Sequence, residues 1–242
     1  MEYFPIIENF RKPASSFAGD IDWLFAMITL VVGVWFFLTL GMFFWMCFRY
    51  RARPGIKAMY VTGKEKHLKK WINIPHILII ICDVFVIIFA VQVWYAVKQE
   101  MPVAGLEEGA ELDSGDAYPT DMMEIDIIAQ QWAWTFVHPG ADNQLYTDDD
   151  IRTIDELHVE NNRIYHFNLK STDVLHDFSV PVLRLKQDAI PGRIIRGWFK
   201  PTETGGYDVQ CAEMCGIGHG LMPAKIFIES PVDHASWIKK QG

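Results

Sequence analysis

The sequence predicts a two-helix transmembrane hairpin followed by an all-β Greek-key sandwich. Three observations carry that expectation: two long apolar stretches within the first hundred residues, a basic loop between them, and a series of short β-type runs beyond residue 122. The apolar share of 50% over 242 residues therefore covers two unlike regions and not one uniform core.

Residues 1–22 mix Pro, Asn, Ser and both charges, and predict an irregular or short amphipathic segment on the outer side. Trp23 to Phe48 is then 26 residues without a charge, bounded by Asp22 and Arg49. At about 1.5 Å of rise per residue that length crosses a bilayer with some tilt. It exceeds a signal-peptide core and follows acidic residues, so a retained helix is expected. The loop 49–70 sets Arg49, Arg51, Arg53, Lys57, Lys64, Lys66, Lys69 and Lys70 against the single acid Glu65. By the positive-inside rule this loop stays cytoplasmic, which places both chain ends on the opposite side.

Trp71 to Val97 reads as the second span, with Trp71 at one interface and Trp94 and Tyr95 at the other. His76, Asp83 and Gln92 lie within it, and polar groups at that depth are costly unless they face protein or water. The helix is expected to pack on a larger membrane partner, with His76 and Asp83 in polar contacts between helices or, as the alternative, His76 or Asp83 at a proton path. Residues 23–100 thus form the hairpin, and 101–122, rich in Gly, Pro, Asp and Glu, a linker. The sandwich is expected over 123–230, with a tail over 231–242.

Within the sandwich the runs 123–128, 133–137, 157–159, 163–169, 194–199, 207–210 and 224–228 favour strands, separated by turns such as Asn161-Asn162, Pro191-Gly192 and Gly205-Gly206. From Met101 onward 23 acidic residues face 11 basic ones, a net of −12, whereas the first hundred carry 7 and 11, a net of +4. An acidic outer domain repels nucleic acid and steers basic partners at low salt.

The chemistry concentrates in Cys211-Ala-Glu-Met-Cys215-Gly-Ile-Gly-His219-Gly-Leu-Met222. Two thiols, an imidazole and a thioether form a soft donor set suited to a late transition metal. A Cys211 to Cys215 disulfide, or a zinc site completed by one more histidine, remains open on residue type alone. The thioether tips the balance towards copper. His176, between two β-type runs, is the candidate for a further ligand at the sandwich rim. His138, His158 and His166 fall in turn or strand contexts and read as surface or core. Cys47 and Cys82 lie in apolar runs, so the four cysteines are no disulfide framework. No phosphate loop, serine elbow or carboxylate pair suggests other catalysis.

Taken together, the two spans, the basic loop, Gln131-Trp132-Ala133-Trp134, Asp173-Val-Leu-His176, Asp188-Ala-Ile-Pro-Gly-Arg193 and the metal loop resemble subunit II of haem-copper cytochrome c oxidases. The resemblance covers nearly the whole chain and implies a cupredoxin-like sandwich holding the binuclear copper centre CuA. By position it implies Cys211 and Cys215 as bridging thiolates, His176 and His219 as imidazole ligands, Met222 as a weak axial ligand and the Glu213 carbonyl as another. Shared thiolates spread one unpaired electron over both metals, so reorganisation is small.

Trp132 matches the tryptophan through which cytochrome c hands over its electron, and Gln131 and Asp173 match docking positions. The Glu213 side chain matches a ligand to Mg or Mn at the boundary with subunit I, and Asp188 to Arg193 a segment against that boundary. The implied partners are subunits I and III, a cytochrome c or cytochrome c domain, and the membrane, with electrons passed to haem a of subunit I. The implied location is a bacterial or mitochondrial inner membrane, with the sandwich and both termini outside.

Three departures matter. Leu68 stands where many members place a glutamate that admits protons, and Glu65 has the wrong offset. Ala133 replaces the usual aromatic between the two tryptophans. No Cys-x-x-Cys-His is present, so no haem is expected in this chain. A membrane-tethered copper carrier or storage module is the alternative reading.

Overall fold

The computed structural model describes residues 12–57, 60–102 and 122–241. They form two compact units, one spanning Asp20–Tyr95 and the other joining the segment up to Gly19 with the chain from Ala96 onward.

In the first unit, helix α1 runs over Ala18–Arg49 and helix α2 over Lys66–Trp94, closed by a five-residue π-turn, Tyr95–Gln99. Both are long and apolar enough to cross a membrane. Each begins five residues before the apolar run expected of it, because a helix continues beyond the hydrocarbon layer where its ends can be solvated. Asp20 in the first turn of α1 and Arg49 in its last complement the helix dipole. Glu65, at the N-cap of α2, accepts a hydrogen bond from the Thr62 hydroxyl at 2.7 Å. Within α2, His76 donates from Nδ1 to the Ile72 carbonyl at 2.8 Å, which satisfies one ring nitrogen inside its own helix.

The second unit is a sandwich of ten strands: β1 (Met122–Gln130), β2 (Ala133–His138), β3 (Ile151–Ile154), β4 (Glu156–Glu160), β5 (Ile164–Ser171), β6 (His176–Val180), β7 (Leu185–Ala189), β8 (Ile195–Phe199), β9 (Gly205–Cys211) and β10 (Pro223–Glu229). One sheet has the order β3-β2-β1-β5-β8 and the other β4-β10-β9-β6-β7. Neighbours are antiparallel except for β1 with β5 and β4 with β10, which are parallel.

Alternate residues point between the sheets and bury one core. Ile125, Ile127, Trp134, Phe136, Phe167 and Leu169 meet Leu157, Val159, Phe178, Val209 and Ile226 there, all within 1% of full burial. Asp155, in left-handed backbone at φ 58, carries the chain from one sheet to the other. Its N–H donates to the Trp134 carbonyl, its carboxylate accepts from Trp134 N–H, and its carbonyl accepts from Lys225 N–H, each at 2.8 Å.

Short strands β3, β6 and β7 add to the runs expected from sequence. The segment expected as a tail contains a helix, α3 (Pro231–Gln241). It is held by aromatic and imidazole contacts where aliphatic ones would have signalled a helix face. Trp237 stacks on His158 at 4.3 Å between centroids, and His234 donates from Nδ1 to Glu229 at 3.0 Å.

The segments flanking the hairpin also belong to the sandwich unit. Ala14 N–H donates to the Val182 carbonyl, Phe17 meets the Trp198 ring edge-on at 5.1 Å, and Trp198 Nε1 donates to the Val97 carbonyl.

Candidate metal centre

Three pieces of chain converge on one rim of the sandwich. Strands β9 and β10 are antiparallel neighbours, so residues 212–222 form the connection between them, with Cys211 ending β9 and Met222 immediately before β10. Strand β6 lies beside β9 with Phe178 opposite Cys211, which sets His176, the first residue of β6, over the start of that connection. The turn between β1 and β2 supplies Gln131 and Trp132.

The donor atoms form a chain of contacts. Cys211 Sγ lies 3.7 Å from Cys215 Sγ, 3.9 Å from His176 Nδ1 and 3.3 Å from the Glu213 carbonyl oxygen. Cys215 Sγ in turn lies 3.6 Å from His219 Nδ1 and 3.9 Å from Met222 Sδ. The thiols are free, since a disulfide requires about 2.05 Å. Among the described residues, His176, Cys211 and Cys215 alone gather donor atoms of His, Cys, Asp and Glu within 4.8 Å of one another. His138 and His158 belong to the buried cluster under α3, and His166 bonds to the Pro102 carbonyl through Nε2.

His176 is fully buried, and its two nitrogens have separate tasks. Nε2–H donates to Asp173 Oδ1 at 2.9 Å, which leaves the Nδ1 lone pair facing the thiols. Asp173 Oδ2 accepts the Gln131 N–H at 2.6 Å. Partial burial pushes the Asp173 carboxyl up, but hydrogen bonds from His176, Gln131 and Val174 outweigh it and hold it below the usual range. The Gln131 side chain donates from Nε2 to the Cys215 carbonyl at 2.8 Å. Both expected docking residues thus bond within the rim, Asp173 through both carboxylate oxygens and Gln131 through its N–H and Nε2. Trp134, fully buried, packs edge-on against His176 at 6.2 Å and Phe178 at 5.5 Å.

The donor set suits a soft cation. Burial, followed by the neighbouring Cys211, pushes the Cys215 thiol up to about 11. A thiolate there needs positive charge bound against it. Two sulfurs within reach of each other, each flanked by an imidazole Nδ1, with a buried thioether beside one, fit copper better than zinc. The Glu213 carboxylate accepts the Met214 N–H at 3.2 Å.

Two residues of the rim carried no sequence signal. Gly216 has φ 120, backbone that only glycine adopts readily. Gly218 lies so near Trp132 that a methyl group on it would fall 2.4 Å from Cδ2 of the ring.

A ten-stranded sandwich with a rim of thiols, imidazoles and a thioether is a cupredoxin-like domain with a candidate metal site. Residues 123–230 match the family described as cytochrome c oxidase subunit II, periplasmic domain. The alternative cytochrome c oxidase subunit 2 of Bradyrhizobium diazoefficiens is 37% identical over 146 residues, 51% of this chain and 52% of that one. A probable cytochrome c oxidase subunit 2 of Rickettsia bellii is 26% identical over 254 residues, 98% of this chain and 85% of that one. A solved periplasmic domain of cytochrome oxidase subunit II from Bradyrhizobium japonicum matches with a TM-score of 0.43 and 29% identity, over 49% of this chain and 92% of that one. Residues 123–230 are thus similar to the periplasmic domain of cytochrome c oxidase subunit II. The chain spans about half the length of the first curated relatives it matches.

Proposed function

We propose that the chain is the CuA-bearing subunit of a cytochrome c oxidase. It accepts single electrons from a cytochrome c and passes them to haem a of subunit I, where O2 is reduced to water with proton translocation. The observation that carries the reading is the pair of thiols 3.7 Å apart, each with an imidazole nitrogen within 3.9 Å.

Cys211, Cys215, His176, His219, Met222 and the Glu213 carbonyl would hold the copper pair. When bound, the copper pair supplies a one-electron store shared across both sulfurs. The protein's part is to hold that geometry: Asp173 orients His176, Gln131 fastens the Cys215 carbonyl, and buried Trp134 fixes the imidazole from one side. Trp132, 38% exposed, is the reading's point of electron input. The acidic outer surface would hold a basic cytochrome against it, and the Glu213 carboxylate would hold Mg or Mn at the boundary with subunit I.

Helices α1 and α2 would cross the membrane and pack on subunit I, with subunit III nearby. The basic loop 49–70, held cytoplasmic by its positive charge, would put both termini and the sandwich on the periplasmic or outer side. The domain limits of this reading are 1–22, 23–100, 101–122, 123–230 and 231–242.

Electron transfer from reduced cytochrome c after Trp132→Ala, with copper content unchanged, tests the reading. A marked loss is expected. An unaffected rate would favour a tethered copper carrier.

A further inference from the structure

Glycine at position 218 answers to its neighbour and not to its own backbone. Its φ of −91 and ψ of 7 are open to L-residues. A methyl group built there would lie 2.4 Å from Cδ2, 2.7 Å from Cγ and 2.8 Å from Cε2 of Trp132, all well inside van der Waals contact. These atoms lie along one side of the five-membered ring, so the indole rests directly on the glycine. Gly216 differs, because its φ of 120 demands glycine whatever lies opposite. Two residues beyond Gly218, a methyl group on Gly220 would meet nothing within 4 Å.

The residue before the indole is fastened to the same rim. The Gln131 amide reaches the Cys215 carbonyl, and the Gln131 N–H reaches the Asp173 carboxylate that also holds His176. Trp132 is thereby tied at its preceding residue to two metal-binding positions, and its ring is seated one residue before a third, His219.

We propose that Gly218 is a positioning residue for electron input: its missing side chain lets the Trp132 indole lie against the metal loop, and any side chain there lifts the ring away and slows transfer. The inference rests on the reading of Trp132 as the point of electron input. In that step one electron leaves the donor's haem iron, which is oxidised, and one arrives on the copper pair, which is reduced. No proton moves, and no bond of the chain forms or breaks. Transfer falls steeply with separation, so the contact at Gly218 matters more than outward side chains of the loop such as Ile217, which is 96% exposed.

The test compares Gly218→Ala with Gly220→Ala in the purified oxidase complex, each with and without Trp132→Ala. Reduction of the copper site by a basic reduced cytochrome c should slow about tenfold to a hundredfold in Gly218→Ala and stay unchanged in Gly220→Ala. Reduction by hexaammineruthenium(II), a small reductant with no need of the indole, should be unaltered, as should copper content and the paramagnetic spectrum. In metal-free protein, the tryptophan emission difference between each form and its Trp132→Ala counterpart should move to longer wavelength in Gly218→Ala as the ring gains water.

On the Trp132→Ala background, Gly218→Ala should add no further slowing. An unchanged cytochrome c rate, an unmoved emission difference, or equal slowing on that background would overturn the proposal. If Trp132→Ala alone leaves the rate intact, the electron-input reading fails and the proposal with it. The emission difference then separates that failure from one in which the ring never rested on Gly218. If Gly218→Ala loses copper, the double variant with Trp132→Ala removes the overlap: recovered copper supports the ring contact, and continued loss overturns it.

Discussion

His176 donates its Nε2 proton to the Asp173 carboxylate at 2.9 Å, and this one bond leaves Nδ1 as the nitrogen that faces the thiols. A carboxylate behind a ligating histidine fixes its tautomer and raises its basicity, and losing such a partner typically costs about 10- to 100-fold in metal affinity. Asp173→Asn should therefore weaken copper retention by about that factor while leaving the sandwich folded. Titration with a copper chelator, followed by the absorption of the site, checks it. Retention equal to the parent protein would make Asp173 a surface residue with no part in the centre.

Trp134 links the core to the centre. It is fully buried between His176 and Phe178, so truncating it leaves a large cavity directly behind His176. Trp134→Ala should cost about 3–5 kcal/mol of stability. Trp134→Phe, which keeps a ring there, should cost less. Thermal unfolding of the two variants, with the copper spectrum recorded on each, measures both effects.

The histidine cluster under α3 makes stability depend on pH. His158 lies between Phe227 and Trp237, its Nδ1 bonds to Glu229, and Glu229 also takes the Nδ1 of His234. His138 Nε2 accepts the His158 N–H at 3.1 Å. Burial drives His138 down to about 3 and lowers His234 as well. The folded state therefore holds the His138 and His234 rings neutral, while in the unfolded chain they take up protons near pH 6.5. Stability from this cluster is complete above about pH 6.5 and is lost progressively as pH falls from there towards 3. Unfolding temperatures between pH 7.5 and 4 should fall, and His138→Gln, which keeps an acceptor for His158 N–H, should flatten that decline. A parallel decline in the variant would exclude His138 as its source.

Charge should govern the approach of the donor. With a net of −12 beyond Met101, association with a basic cytochrome c should slow as ionic strength rises. Stopped-flow association rates between low and physiological salt check this. A flat response would mean apolar contacts or a tethered donor.

How far the sequence led depends on how local each feature is. Metal-loop donors from Cys211 to Met222 sit within twelve residues, so their chemistry was readable at once. His176 lies 35 residues upstream of Cys211, and only the pairing of β6 with β9 brings the two together. Strand β6, with its buried His176 and Asp177, and strand β7, Leu-Lys-Gln-Asp-Ala, lack the apolar alternation that marks a strand. Helix α3 was hidden because His234 and Trp237 do the work of an aliphatic stripe. The sequence displays Gly218 as a glycine, but the ring that its missing side chain admits comes from 86 residues away.

Cys211 and Cys215 are expected to hold two coppers between them. Copper analysis of the purified chain, combined with its low-temperature paramagnetic spectrum, tests it most directly. Two coppers per centre are expected, with a single unpaired electron shared equally by both nuclei. One copper, zinc, or a spectrum from an isolated copper ion would contradict it.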